Sequence, residues 1–337
     1  MRPGRLKGAP RPLVSVVIPV EPEGRVGAVL KALGACGYPR QGLEVLVARG
    51  RNPSRQRNAA ARRARGRYLL FLDSDSLAQE GLVDRLLECF SRGRVAVAGG
   101  PNLPPLDQAF FQKAASAVLG SWLGSMSARA RYRPVGSLRE SSEKELILCN
   151  LMADRRVFLE AGGFREDLYP NEENELLNRL KNLGWKALYQ PLALVRRPRR
   201  KNLGAFARQA FGYGRGRMEQ MLANFFPGDL VNLLPLGFLL YLAALPWLQA
   251  AWPWAWLGAG LYGLALLAAG LAACLESGPL VGLASLPLFP VRHLGYGLGL
   301  AAGLGSRFAG PRARDPGAPR VEKLALAPEG RRRGGRK

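Results

Sequence analysis

Apolar positions near the start of the chain fall into two rhythms. Val14 to Val20 (VSVVIPV) and Leu43 to Val47 (LEVLV) are short, β-branched runs that read as buried parallel strands. Between them Val26, Val29, Leu30 and Leu33 recur at helical spacing. After the basic stretch Arg55 to Arg67, a third run, Tyr68 to Leu72 (YLLFL), predicts another strand. Strand, helix, strand, helix, strand is the pattern of a doubly wound α/β layer. Ligands in such layers sit beyond the carboxyl ends of the strands, which is where Asp73 to Ser76 must lie. Val95 to Ala98 predicts a further strand, followed by a mixed stretch with Gly99-Gly100-Pro101 and the pair Phe110-Phe111. Ile147 to Ala153, and Leu176, Leu180 and Leu183 on one helical face, predict a second ordered half.

The pattern changes at about Asp229. From there to Leu275 the chain carries almost no charge, and the stretch is long enough for two membrane spans of about 20 residues each. Pro253, in the segment AWPWAW, predicts a hairpin tip flanked by interfacial tryptophans. A third apolar stretch, Pro279 to Leu304, is interrupted by Pro287, Pro290, Arg292 and His293, so spanning, re-entrant and interfacial placements all stay open. The tail beyond Gly305 is rich in Arg, Gly and Pro and is expected to be disordered and cytoplasmic. Two crossings plus a re-entrant or interfacial third segment keep both flanks on that side. The expected division is a basic N-terminal segment 1–12, an α/β domain 13–225, a membrane region 226–305 with two or three hydrophobic helices, and a basic tail 306–337. Deleting everything from Asp229 onward is expected to release a soluble domain.

Composition narrows the partners. The chain has 337 residues and a formal net charge of +24, from 49 Lys+Arg against 25 Asp+Glu. Such an excess attracts nucleic acid, anionic lipid headgroups or pyrophosphates alike, but there is no recognisable nucleic-acid-binding module, and nucleic acid is set aside. Cys36, Cys89, Cys149 and Cys274 are widely spaced and His293 is the sole histidine, which excludes a Cys/His metal site. The basic start MRPGRLKGAPRP runs into a strand rather than an apolar cleavable segment, so no signal peptide is expected and the α/β part stays in the cytosol.

Asp73-Ser74-Asp75 closes a buried strand. Two carboxylates one residue apart can hold a divalent cation while leaving positions for phosphate oxygens; the plainer alternative is a turn. Asn171-Glu172-Glu173-Asn174-Glu175 opens the Leu176 helix. Asn suits the N-cap and acids suit the first turn, yet three glutamates within four residues, after Gly162-Gly163, also suit a general base facing an acceptor hydroxyl. Arg196 to Lys201 (RRPRRK), Arg208, Arg215 and Arg217 precede the apolar region. Headgroup binding accounts for most of them, and one or two can clamp a pyrophosphate. Gly212, Gly214 and Gly216 follow no strand and form no dinucleotide loop. Arg55, Arg57 and Asn58 precede a helix, with a solvated basic face as the plain reading.

Taken together, VSVVIPV, SRQRNAAARRARGRYLLFLDSDS, the triplet Gly162 to Phe164 and NEENELLNRL resemble a family 2 glycosyltransferase with a GT-A fold. RQAFGYGRGR and the segment RHLGYGLGLAAGL from Arg292 are similar to its bacterial membrane-associated branch, which includes succinoglycan-type exopolysaccharide transferases. The resemblance implies a Rossmann-like α/β domain followed by transmembrane helices at the inner membrane. It implies inverting transfer, dependent on Mn²⁺ or Mg²⁺, from a nucleoside diphosphate sugar, commonly a UDP-sugar, to a glycan or lipid-linked acceptor. Asp75 would ligate the metal and Asp73 would contact nucleotide and metal shell. Pro19, Val20, Glu21, Arg57, Asn58, Ser74, Gly163, Arg208 and Arg215 would bind the donor. Glu173 falls at the base position, with Glu172 beside it. Two departures stand out: Arg49 and Arg51 where the family has a base-reading aspartate loop, and Glu173 in place of aspartate. A polyprenyl-phosphate sugar synthase and a catalytically inactive membrane scaffold are the alternatives.

Overall fold

The computed structural model describes residues 12–305 and 317–326. The strands are β1 (Val14–Val20), β2 (Leu43–Arg49), β3 (Tyr68–Phe71), β4 (Leu77–Ala78), β5 (Val95–Gly99), β6 (Asn102–Leu103), β7 (Arg139–Ser141), β8 (Leu151–Asp154), β9 (Lys186–Tyr189), β10 (Val195–Arg196) and β11 (Arg320–Leu324). The helices of the α/β part are α1 (Gly27–Gly34), α2 (Pro53–Arg63), α3 (Leu82–Cys89), α4 (Phe110–Gly120), α5 (Trp122–Ser125), α6 (Arg155–Glu160), α7 (Glu172–Asn182) and α8 (Leu203–Ala223). Beyond them come α9 (Leu234–Ala251), α10 (Leu257–Ser277), α11 (Pro279–Ser285) and α12 (Leu288–Gly305).

The main sheet runs β11-β2-β1-β3-β8-β5-β9-β7, beside a small β4-β10-β6 sheet. The three strands anticipated from the apolar runs are parallel neighbours, with β1 between β2 and β3. The sheet is mixed beyond them: β8 lies antiparallel to both β3 and β5. Successive β1 residues explain why its run is apolar throughout. Val16 and Ile18 face α1 and α3 through Val29, Leu33, Leu82 and Leu86, while Val17 faces the layer containing Ala60, Val157, Phe158 and Leu176. On that second face Phe71, Phe158 and Phe164 pack with ring centroids 5.0–5.4 Å apart. In α7, Leu176 and Leu180 join this core. Leu183 caps the helix instead and is exposed, because the helix ends before Gly184, whose φ is +76°.

Two helical stretches, Pro227–Ala251 and Pro253–Ser277, are long and apolar enough to cross a membrane. Only 6% and 11% of their most apolar windows are buried in the protein, unlike the helices of a core. Pro253 and Trp254 stand at the tip between them, as the sequence predicts. The third apolar stretch breaks into α11 and α12, and α12 lies along α8. A Cβ at Gly214 would collide with the Tyr296 carbonyl and one at Gly299 with that of Phe211; one at Gly303 would stand 2.6 Å from the Arg215 carbonyl. Gly214 of GYGRGR and Gly299 and Gly303 of GYGLGLAAG thus let the backbones of α8 and α12 touch.

The expectation of a wholly disordered tail fails at Arg320–Leu324, which pairs antiparallel with the outer edge of β2. The hexapeptide VEKLAL hides a strand pattern inside an Arg/Gly/Pro-rich stretch. Val321 reaches one core layer, Leu324 and Leu326 the other. The remainder of the tail, 306–316 and 327–337, and the basic start 1–11 lie outside the described residues.

Candidate functional site

A cleft of ≈ 940 Å³ opens at the carboxyl ends of β1, β2 and β3, where the strand order predicts a ligand. Pro19, Val20 and Glu21 line it from the end of β1, Gly50 and Arg51 from β2, and Asp73, Ser74 and Asp75 from β3. Glu172 and Glu173, at the start of α7, line the same cleft, as do Arg57, Tyr169, Arg197, Arg200 and Tyr213. The two acid clusters, distant in sequence, therefore share one pocket. A smaller cavity of ≈ 290 Å³ lies against α7, β7 and β9, but its Glu145 and Glu140 are paired with Arg139 and Lys186.

Arginines tie the acids together. The Arg57 guanidinium donates to Glu172 and to Asp73, both at 2.8 Å. It projects from α2, which starts cleanly because Asn52 accepts from the Arg55 N–H at 3.0 Å and Pro53 occupies the first turn. Arg197, just past β10, contacts Asp73 at 2.9 Å and Asp75 at 2.7 Å. Burial would raise the Asp73 carboxyl, but the charges of Arg197 and Arg57 outweigh it and hold the group below the usual carboxylate range. Glu172 goes the other way. Burial, reinforced by the neighbouring Glu173 charge, pushes it up to about 8 against the opposition of Arg57. Glu173 is held more loosely, 3.9 Å from Arg131. Glu175 is bound to Arg179 at 2.8 Å and lines no part of the cleft.

Several expected residues have other tasks. Asn58 donates to the Phe164 carbonyl at 2.8 Å and accepts from the Phe164 N–H at 2.9 Å, so it pins the Gly162-Gly163-Phe164 turn rather than facing the cleft. Gly163 sits at φ +71°, where a Cβ would meet the Asn58 oxygen at 2.6 Å. Arg208 and Arg215 do not line the cleft; Arg215 pairs with Glu219 one turn along α8. Arg197 and Arg200, from the stretch read mainly as headgroup-binding, take the place expected of them. Asn171 occupies the N-cap position of α7 but at φ +90°, and its side-chain oxygen accepts from Asn174 rather than from the helix backbone.

As oxygen donors, Asp73 and Asp75 suit a hard divalent cation that keeps positions for phosphate and water. Among the described residues no group of three or more His, Cys, Asp or Glu forms an all-protein cage. Asp75, half exposed at the mouth of the cleft, fits a site that a diphosphate would complete.

A mixed α/β sheet with this cleft at its strand ends has the architecture of the GT-A nucleotide-sugar transferases. Mannosyltransferase PcManGT from Pyrobaculum calidifontis, solved in complex with GDP-Man and Mn²⁺, superposes with a TM-score of 0.52 over 88% of both chains at 16% identity. Residues 28–148 match the family model "Glycosyl transferase family 2". It is also similar to the succinoglycan biosynthesis protein ExoA of Rhizobium meliloti (strain 1021), 28% identical over 228 residues; that alignment covers 63% of this chain and 66% of ExoA.

Proposed function

We propose that the protein transfers a sugar, with inversion, from a nucleoside diphosphate sugar to a glycan or lipid-linked acceptor at the cytoplasmic face of the membrane, in envelope or exopolysaccharide synthesis. The observation that carries this reading is the shared cleft: the acid pair at the end of β3 and the carboxylates of α7 face one space, bridged by Arg57. The resemblance to ExoA and to a transferase holding GDP-Man supports the reaction class. The two apolar helices support the membrane location.

In this reading Arg197, Arg200 and Arg57 supply positive charge to the donor diphosphate. Glu173 is the base. Burial pushes Glu172 up to about 8 and it accepts from Arg57 at 2.8 Å, while the Glu173 carboxylate stands 3.9 Å from Arg131 and is not tied down at hydrogen-bond distance among the described residues. The acceptor oxygen bonds to the anomeric carbon, the bond from that carbon to the diphosphate oxygen breaks, and the acceptor proton passes to the Glu173 carboxylate. A Mn²⁺ or Mg²⁺ ion held by Asp75 and Asp73 would neutralise charge on the departing diphosphate.

The test is a panel of UDP-, GDP- and dTDP-sugars with Mn²⁺ or Mg²⁺, read by stabilisation of the purified protein and then by transfer. One donor is expected to stabilise wild type and Glu173→Gln equally, while Glu173→Gln loses transfer. A protein stabilised by no donor would refute the donor site, and full transfer by Glu173→Gln would remove Glu173 as base.

A further inference from the structure

The wall of the cleft at the ends of β1 and β2 is backed by the C-terminal segment, which does not itself line the cleft. Arg49, the last residue of β2, donates from one guanidinium nitrogen to the carbonyls of Pro22 and Gly24, at 2.9 and 3.0 Å. Its Nε lies 3.5 Å from the carboxylate of Glu322 in β11, which also pairs with Arg320 at 3.0 Å. The Pro22–Gly24 loop and the Gly50–Arg51 turn are the cleft walls here, and Pro319 lies against Gly50. The register of β11 is fixed by complementary charge at two points, Glu322 on Arg49 and Lys323 on Glu44 at 3.2 Å, and by Arg63 donating to the Val321 carbonyl. A one-residue slip would turn each of these side chains to the opposite face of the sheet.

A diphosphate held by Arg57, Arg197 and the acid pair at the end of β3 leaves its nucleoside room to extend across β1 towards β2, where the cleft continues past Glu21 and Gly24 to Gly50 and Arg51. We propose that β11 is a working part of the donor site. Glu322, acting through Arg49, is a positioning residue that sets the loop against which the nucleobase rests, and so contributes to nucleotide affinity and selectivity. This inference rests on the donor reading above. It gives Arg49 a role at the position where a base-reading aspartate is missing: the arginine braces the wall from behind instead of contacting the base.

The test uses the full chain in detergent with Mn²⁺, comparing binding of UDP, GDP and inorganic diphosphate to wild type, Glu322→Arg, Glu322→Asp and Arg49→Met. Glu322→Arg is expected to weaken the preferred nucleoside diphosphate roughly 3- to 5-fold, the upper range for one partly shielded ion pair. Inorganic diphosphate should change less than about twofold. Arg49→Met should show the same pattern, Glu322→Asp should recover most of the loss, and in transfer assays the change should fall on KM for the donor rather than on kcat. Equal weakening of nucleotide and inorganic diphosphate, or no change in either, would overturn the proposal. Wild type binding neither nucleotide would instead refute the donor reading itself.

Discussion

Arg57 is the side chain that joins the two acid clusters of the cleft, and Arg57→Gln isolates its contribution. Its guanidinium is 5% exposed and the Glu172 carboxylate 2% exposed, at 2.8 Å from each other. Removing one partner of so buried a pair costs about 3–5 kcal/mol when the other must stay charged. Asp73 adds less, because it keeps Arg197 at 2.9 Å. Glu172 has an escape: it can take up a proton, which burial already favours. A carboxyl raised in the folded state contributes stability that is complete below its unfolded value near 4.5 and is lost as pH rises through about 8. Without Arg57 the folded value rises further, so the variant goes on losing stability at pH where the wild type has stopped, by about 1.4 kcal/mol per pH unit. Thermal unfolding without nucleotide should therefore show a deficit of about 1–2 kcal/mol near pH 6.5, one hydrogen bond to a neutral carboxyl, and a clearly larger one near pH 9. In Arg57→Gln/Glu172→Gln the extra loss at high pH should vanish, leaving a coupling of about 2–3 kcal/mol there. A deficit independent of pH and additive with Glu172→Gln would refute the buried pair.

Arg197→Gln frees both acids of β3 from a guanidinium, so Mn²⁺ should bind the nucleotide-free protein about fivefold more tightly by calorimetry, the equivalent of about 1 kcal/mol for a half-exposed pair. Unchanged or weaker binding would show that Arg197 does not compete for them. Deleting the chain from Asp229 onward, expected from sequence to give a soluble domain, removes β11 from the edge of β2 and α12 from the glycine face of α8. The truncated chain should be aggregation-prone by light scattering; a monodisperse, nucleotide-binding product would refute this.

What was legible in the sequence was local. Buried strands announce themselves as apolar runs because both faces are covered, so β1, β2 and β3 and the acid pair at the end of β3 could be placed before the fold was known. The start of α7 was legible from its Asn and clustered glutamates, and the two apolar helices from their length and lack of charge rather than from burial. Pairing partners were not. β7 is Arg-Glu-Ser and carries no apolar signal, and β8 inserts antiparallel between β3 and β5 through contacts far apart in the chain. The five-residue β11 was masked by the composition around it. Among the arginines, charge could not say which turn inward. A signal existed at Arg197, which stands two residues beyond the fully buried Val195 and so shares its inward side at strand period. Arg208 and Arg215, donor-binding candidates by the resemblance of RQAFGYGRGR, lie on α8 outside the lining of the cleft.

Gly214 and Gly216 place α8 between α12 and this cleft, and Gly216 is where the connection can be tested. Gly214 lies against α12, but Gly216 faces the turn that leads into Glu172 and Glu173. A Cβ there would stand 2.6 Å from the Pro170 carbonyl and 2.8 Å from the Asn171 side-chain nitrogen. Neither neighbour yields easily, since one is backbone and Asn171 is itself buried with its oxygen bound to Asn174. Gly216→Ala must therefore push the acid turn away from α8, at a cost of about 1–3 kcal/mol in stability, moving Glu173 while leaving Asp73, Asp75 and the Arg49 strap where they are. With Glu173 as the base proposed above, displacing it by a fraction of an ångström to an ångström is expected to slow transfer by up to about a hundredfold. Nucleotide affinity should stay within about twofold, because the donor end is untouched. Gly212→Ala is the control, with nothing within 4 Å of the added methyl. If Gly216→Ala lost stability but transferred sugar at the wild-type rate, the turn would not be set by α8, and the packing of α8 on α12 would support the domain without aligning the carboxylates of α7.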